Sequence, residues 1–313
     1  MNDAIYNKNT PSMVKKKKFR KNRVIKTRGE KIFGVANIFI MILFAMLFII
    51  PVILLVNSSF TGSKALTLNG YSLIIRDFSF EYYKAIFMME SNQFLRSILN
   101  SIIILVITVV FMIINCSLAA FALTNHKLQF RRFFTFYFIL PMLFGGGTIP
   151  YYLLIRNLGL MNSLWAIILP SSVSAWYILL VRNFFQRVPT NLIEAAELDG
   201  ASNVQILFRV VLPLNLPIIA TISLYTAVGV WNDWFQASLF IDSNHYELWP
   251  IQAFVRRLED SDEFLRAYFG DTNLSYSGLR TTAVILSLIP IIIAYPFLQK
   301  FFIKGQMEGG VKE

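Results

Sequence analysis

The side chains able to do acid–base, metal or nucleophilic chemistry are few in this chain, and they are scattered. Cys116 stands alone inside an apolar run, so no disulfide can form within the chain, and a small packing role suits it. His126 and His245 fall in polar stretches between apolar ones. Asp233, in "VWNDWF", is the carboxylate nearest to an apolar segment, where an acid could carry a proton. The sequence has no Gly-x-x-x-x-Gly-Lys-Ser/Thr phosphate loop, so ATP hydrolysis by that route is excluded. It also has no His-Glu-x-x-His, no Cys/His cluster and no Gly-x-Ser-x-Gly, the usual frames for metal-assisted or serine hydrolysis. What remains is a short polar segment, "EAAELDGASNVQILFRVVLP" (194–213), set between two long oily stretches.

This segment reads as two short helices. Asn191 is predicted to cap the first, with Glu194 at the third helical position reaching back. Leu192, Ala195, Ala196 and Asp199 then share a face at i, i+3, i+4 and i+7, and the paired alanines leave it narrow enough to enter a groove. Gly200 permits a sharp change of direction. Val204, Leu207, Phe208 and Val211 repeat the spacing in the second helix, and Pro213 opens the next apolar run. A helix under about 12 residues is marginal alone in water, so the first one needs a docking surface.

The elements around this segment are membrane-like. Charged residues make up 15% of the 313, against about 25% in soluble domains. Hydrophobic residues make up 56%, and the mean hydropathy is +0.56. A crossing helix needs about 20 apolar residues. Six stretches qualify, at 32–56, 98–123, 133–155, 164–181, 214–235 and 280–303, each with a centre free of Asp, Glu, Lys and Arg. "FGGGTIP" (144–150) marks the third as broken or kinked, with close helix approach preferred over a ligand contact for its glycines. Net charge is +11, and 11 of the 29 Lys and Arg precede residue 32. That block (1–31) reads as a cytoplasmic anchor against anionic membrane lipid rather than a nucleic-acid surface. With the N-terminus cytoplasmic, 20 Lys and Arg fall on or beside inner segments and 9 on outer ones. Six spans then return the C-tail (304–313) to the same side. The outer stretch 236–279 carries seven acids and three arginines; it must fold outside the membrane, with short helices. The chain is therefore all-α and polytopic, with its membrane part at 32–303. A pore subunit driven by a separate motor fits it, and a self-contained carrier remains open.

The 194–213 segment resembles the EAA loop of ATP-binding-cassette importer permeases. Glu194-Ala195-Ala196, Gly200, Val210 and Leu212-Pro213 match the pattern, with Val in place of the usual Ile. "LPMLFGGGTIPYYLLIRNLGLMNSLWAIILP" (140–170), "RNFFQRVP" (182–189), "WNDWF" (231–235) and "YPFLQKFFIKG" (295–305) are similar to the carbohydrate-uptake branch, and within it to permeases for polysaccharide-derived oligosaccharides. The tail "QMEGGVKE" departs from the Gly-x-x-Lys-Gly ending of that subgroup.

The resemblance implies a MetI-like permease core in a bacterial cell membrane. It implies a second, homologous permease subunit, two ATPase subunits that hold ATP and Mg, and an extracellular substrate-binding protein that delivers the carbohydrate. No cofactor is expected on this chain, and no catalytic or metal-binding residue. Glu194, Ala195, Ala196, Leu198, Asp199, Gly200, Leu212 and Pro213 would couple to an ATPase. Trp231, Asn232, Asp233 and Trp234, with Tyr151, Tyr152 and Trp176, would meet sugar, since aromatic faces stack on pyranose rings and amides bind hydroxyls. The 236–279 stretch would touch the binding protein.

Overall fold

A computed structural model describes residues 27–88, 92–125, 127–260, 262–269 and 273–310. His126, the basic run up to residue 26 and the last three residues lie outside the described residues. The chain divides into two compact units, 1–51 and 52–313.

The first unit holds most of helix α1 (Arg28–Ser59). Thr27 and Glu30 start it with a reciprocal cap. The Thr27 N–H donates to Glu30 Oε2 at 2.8 Å, and the Glu30 N–H donates to Thr27 Oγ1 at 3.3 Å. From Ile32 to Ile53 nearly every side chain is large, apolar and exposed, as on a helix solvated by lipid.

Among the described residues, the regular structure of the second unit is all helical apart from one isolated bridge, Thr61 to Phe78. Short helices α2 (Ser63–Asn69) and α3 (Glu81–Phe87) lead into the long α4 (Gln93–Thr124). There follow α5 (Arg131–Leu143), α6 (Thr148–Asn157), α7 (Trp165–Ser171), α8 (Ala175–Phe185) and α9 (Thr190–Leu198). Then come α10 (Asn203–Ile206), a π turn (Leu207–Val211), α11 (Leu212–Leu214) and α12 (Leu216–Asn232). The last are α13 (Phe235–Phe240), a 3-10 turn (Ser243–Leu248), α14 (Ile251–Asp260), α15 (Asp262–Phe269) and α16 (Tyr276–Gly310).

Helix α4 organises the unit and packs on α7, α8, α12 and α14. Its buried positions include Phe94, Ser97, Ser101, Ile104, Thr108, Met112, Cys116, Ala120 and Leu123, a stripe at spacings of three and four. Small Ser, Thr and Ala side chains let neighbours approach closely, the way helices associate in lipid. The opposite face exposes Leu95, Leu99, Ile102, Val106 and Val110. Cys116 is fully buried in the stripe, in the packing role expected of it.

Two clusters sit at opposite ends of α4. Met112, Cys116, Ala120 and Leu123 join Ile178, Val181, Leu207, Val211 and Ile222 at its C-terminal end. At its N-terminal end Phe94 joins Tyr82, Ile86, Ile251, Phe254, Leu258, Leu279 and Ala283, so that α3, α14 and the start of α16 form one core. Burial pushes the Tyr82 phenol above its ordinary pKa. The stretch 236–279 does form short helices. Helix α14 is strongly two-faced, with Ile251, Phe254 and Leu258 inside and Arg256 paired outside with Glu259 (3.5 Å) and Asp260 (3.1 Å).

Among the described residues, four segments are long and apolar enough to cross a membrane: 28–59, 93–124, 165–185 and 276–294. Two further pairs qualify only as bent crossings. Helices α5 and α6 meet at 117° across Phe144–Gly147, the break expected of "FGGGTIP", with Gly147 at φ +82. The close helix approach expected for these glycines is not found, since nothing lies within 4 Å of a Cβ built on Gly145, Gly146 or Gly147. The α10–α11 segment meets α12 at 85°, and the hinge is Asn215.

Candidate functional site

Helix α9 starts two residues earlier than the capping pattern predicts. Asn191 lies inside it, and no side chain caps it. Pro189, at φ −59 and ψ 129, is the N-cap, and its carbonyl accepts the Leu192 N–H at 3.1 Å. Proline has no N–H to give and a φ already suited to a helix start, so the helix begins directly after it, which an Asn side chain two residues on does not override.

The C-terminal end matches the expectation for Gly200. It adopts φ +81, and its N–H donates to Glu197 O at 3.0 Å while the Ala201 N–H donates to Ala196 O at 3.0 Å. This pair of bonds is a Schellman cap, which needs a left-handed residue. Nothing lies within 4 Å of a Cβ built on Gly200, so glycine is required there by backbone conformation and not by crowding.

The faces of α9 divide differently from the expected stripe. Ile193 and Ala196 turn inward against the cluster at the C-terminal end of α4, followed by Ala201 beyond the cap. Leu192, Glu194, Ala195, Leu198 and Asp199 are exposed. Ala196 is thus the inner residue of the alanine pair and Ala195 the outer. Leu198 is 89% exposed, an apolar side chain standing in the open beside the Gly200 turn. Lys127, from the loop before α5, lies 3.6 Å from Glu197, an exposed pair of small energetic weight.

The second helix carries a device missed in the sequence. Ser202 and Gln205 form a capping box: the Ser202 N–H donates to Gln205 Oε1 (2.8 Å) and the Gln205 N–H to Ser202 Oγ (3.4 Å). Ser-x-x-Gln before an apolar run was its visible signal. A π turn follows, in which the Leu212 N–H donates to Leu207 O. Its wider winding shifts the apolar register. Of the expected stripe Leu207 and Val211 are buried, joined by Ile206, while Val204 and Phe208 face outward. Leu212 and Pro213 sit in α11, just before the hinge. There the Asn215 Nδ2 donates to Val211 O at 2.8 Å within the protein.

The second group of candidates gathers at the far end of α12. Asp233 ends that helix, and its Oδ1 accepts the N–H groups of Phe235 (2.9 Å) and Gln236 (3.2 Å), which starts α13. Gln236, absent from the sequence-derived set, is the hub. Its Nε2 donates to Asp233 Oδ2 (2.6 Å) and Ser171 Oγ (3.1 Å), and its Oε1 accepts from Tyr151 OH (2.9 Å). Asp-x-x-Gln at a helix start was the legible sign. The hub ties α6, α7 and α13 together. Tyr151 meets the Phe240 ring edge-on at 5.2 Å, and Tyr152 stacks on it at 6.4 Å. Tyr151 also lines an open concavity of about 650 Å³ with Gly146, Gly147, Pro150 and Pro170.

The remaining candidates separate. Trp231 is 6% exposed, within the core at the N-terminal end of α4. Asn232 is exposed, with its Nδ2 on Val228 O. The exposed Trp234 ring carries the Arg256 guanidinium 5.0 Å from its centroid. Trp176 is exposed at the start of α8, away from that pair in sequence and in partners.

Residues 83–307 match the family described as "Binding-protein-dependent transport system inner membrane component". The chain is 34% identical over 290 residues to the protein LplC of Bacillus subtilis (strain 168), covering 91% of this chain and 97% of that protein. It is 34% identical over 279 residues to the polygalacturonan/rhamnogalacturonan transport system permease protein YtcP of the same organism, covering 87% and 95%. Among solved structures it is similar to a chain of a bacterial ABC transporter involved in the import of the acidic polysaccharide alginate. That likeness has a TM-score of 0.80 at 31% identity, over 88% of this chain and 99% of that one.

Proposed function

The chain belongs to the family of binding-protein-dependent transport system inner membrane components, and we infer that it is the permease subunit of an ATP-driven importer for an oligosaccharide. It forms half of a translocation path in a bacterial cell membrane, beside a second, homologous permease. Both bent helix pairs count as crossings in this reading, giving six spans within 32–303, with the tails 1–31 and 304–313 in the cytoplasm. Two ATPase subunits, which hold ATP and Mg, engage α9 and the turn after it. An extracellular binding protein delivers the substrate to the opposite face, where 236–279 receives it. The similarity to a polygalacturonan/rhamnogalacturonan transport system permease and to a transporter that imports the acidic polysaccharide alginate supports an oligosaccharide as the substrate.

One observation carries the coupling role: a nine-residue helix, capped by Gly200, that holds Leu198 open to the outside. Short helices need a surface to rest on, and exposed apolar side chains beside charged ones suit a partner's groove. Glu194, Ala195, Leu198 and Asp199 form the outer face of this handle. Ala196 holds it to the core, and Leu212 and Pro213 pass its movement toward the Asn215 hinge. For the substrate we assign Asn232, Trp234 and Trp176 as open contacts. Tyr151 and Asp233 are held in the Gln236 cluster, Tyr152 stacks beside it on Phe240, and Trp231 stays buried in the separate core at the N-terminal end of α4.

Reconstitution tests this reading. Proteoliposomes with the chain, its partner permease and ATPases should take up oligosaccharide only with ATP and the binding protein. Uptake by this chain alone, without ATP, would instead establish a self-contained carrier.

A further inference from the structure

Between α5 and α8 lies a cavity of about 630 Å³ whose seven lining residues include three arginines, Arg131, Arg132 and Arg182, and no carboxylate. Arg182 adds a second oddity. Its Nε is buried and has no hydrogen-bond partner. A buried guanidinium N–H without an acceptor costs free energy unless a ligand supplies one. Helix α5 begins at Arg131 after Phe130, which adopts φ +57, and no side chain caps its first turn. Its positive end therefore adds to the field in the cavity.

The rest of the lining is mostly apolar. Thr135, Phe136 and Ile139 continue along α5 away from the arginines. At 1.5 Å per residue, Ile139 lies about 10 Å along the helix from Arg132, which is the direction of an acyl chain and not of a dissolved anion. All three arginines stand where apolar stretches end, on the side that the charge asymmetry assigns to the cytoplasm, where anionic lipids attract basic groups.

We propose that the Arg131–Arg132–Arg182 cavity is a binding site for the phosphate headgroup of an anionic phospholipid, whose chain runs along Phe136 and Ile139. This is separate from the basic N-terminal block, and it does not depend on which solute is imported.

Native mass spectrometry of the assembled importer, taken from nanodiscs of equal phosphatidylglycerol and phosphatidylcholine, tests it. The unmodified complex should retain phosphatidylglycerol preferentially. Arg132→Gln, at an exposed position, should reduce that retention several-fold, and Arg132→Gln with Arg182→Gln should reduce it about tenfold, whereas Arg209→Gln outside the cavity should not. Equal retention in the wild type and the Arg132→Gln variant would overturn the proposal. So would full displacement of the lipid by millimolar inorganic phosphate, which would make the site one for a free anion. Unchanged retention with weakened ATPase association would overturn it as well, marking the cavity as a protein contact.

Discussion

The core at the N-terminal end of α4 and the α9 segment both use short helices, yet they are stabilised in opposite ways. The first completes itself. Tyr82, Phe94, Phe254 and Leu279 come from four separate helices and leave no side chain of that core open. The second stays unfinished, with one face on the core and Leu198 in the open. A segment that buries everything needs no partner to define it. A segment closed by a Schellman turn and a capping box that still displays leucine is, in the proposed reading, completed by another chain.

Substitutions can break this contrast, and the largest effect belongs to the closed region. Phe254→Ala should destabilise the purified chain by about 3–5 kcal/mol, read as thermal unfolding in detergent, since it removes a fully buried ring. Gly278→Ala comes next. A Cβ there would overlap the Tyr82 ring, and overpacking costs about 1–3 kcal/mol. A wild-type unfolding temperature for Gly278→Ala would show that α3 and α16 are loosely joined. Gly200→Val should cost about 1–2 kcal/mol through left-handed backbone strain alone, whereas Gly200→Asn should be nearly neutral, because Asn tolerates that conformation. Equal ATP-driven uptake by the Val and Asn variants would sever the link between this turn and coupling. Smallest of all, Leu198→Ala should change stability by under about 0.5 kcal/mol. Its effect should fall on ATPase affinity.

The two regions also differ in how far they could be read from the residues. The α9 handle was legible because its determinants are local: the Glu-Ala-Ala spacing, Gly200, and the closing Leu212-Pro213. Even there the detail depended on competition between neighbours. Pro189 overrode Asn191 as the start, and the wider winding of the π turn from Leu207 left Phe208 outward, because such a turn cannot be seen in an i, i+3, i+4 pattern. The apolar stretches were legible from length and composition, and the bend at Gly145–Gly147 from its glycines. The closed core was not. Tyr82 meets Gly278 across more than half the chain, and Gln236 joins Tyr151 and Ser171 from three different helices. A single sequence carries no signal for such long-range meetings, although Ser202-x-x-Gln205 and Asp233-x-x-Gln236 were local and could have been read.

The most direct test of the coupling role uses the chain's single native cysteine, Cys116, which is buried. Leu198→Cys therefore introduces one accessible thiol at the centre of the handle. In the chain purified without its ATPases, a polar maleimide should label position 198 rapidly. In the assembled importer labelling should slow at least tenfold, because the side chain is then enclosed in the ATPase groove. Labelling at the same rate in both states, with the ATPases demonstrably bound, would contradict the account.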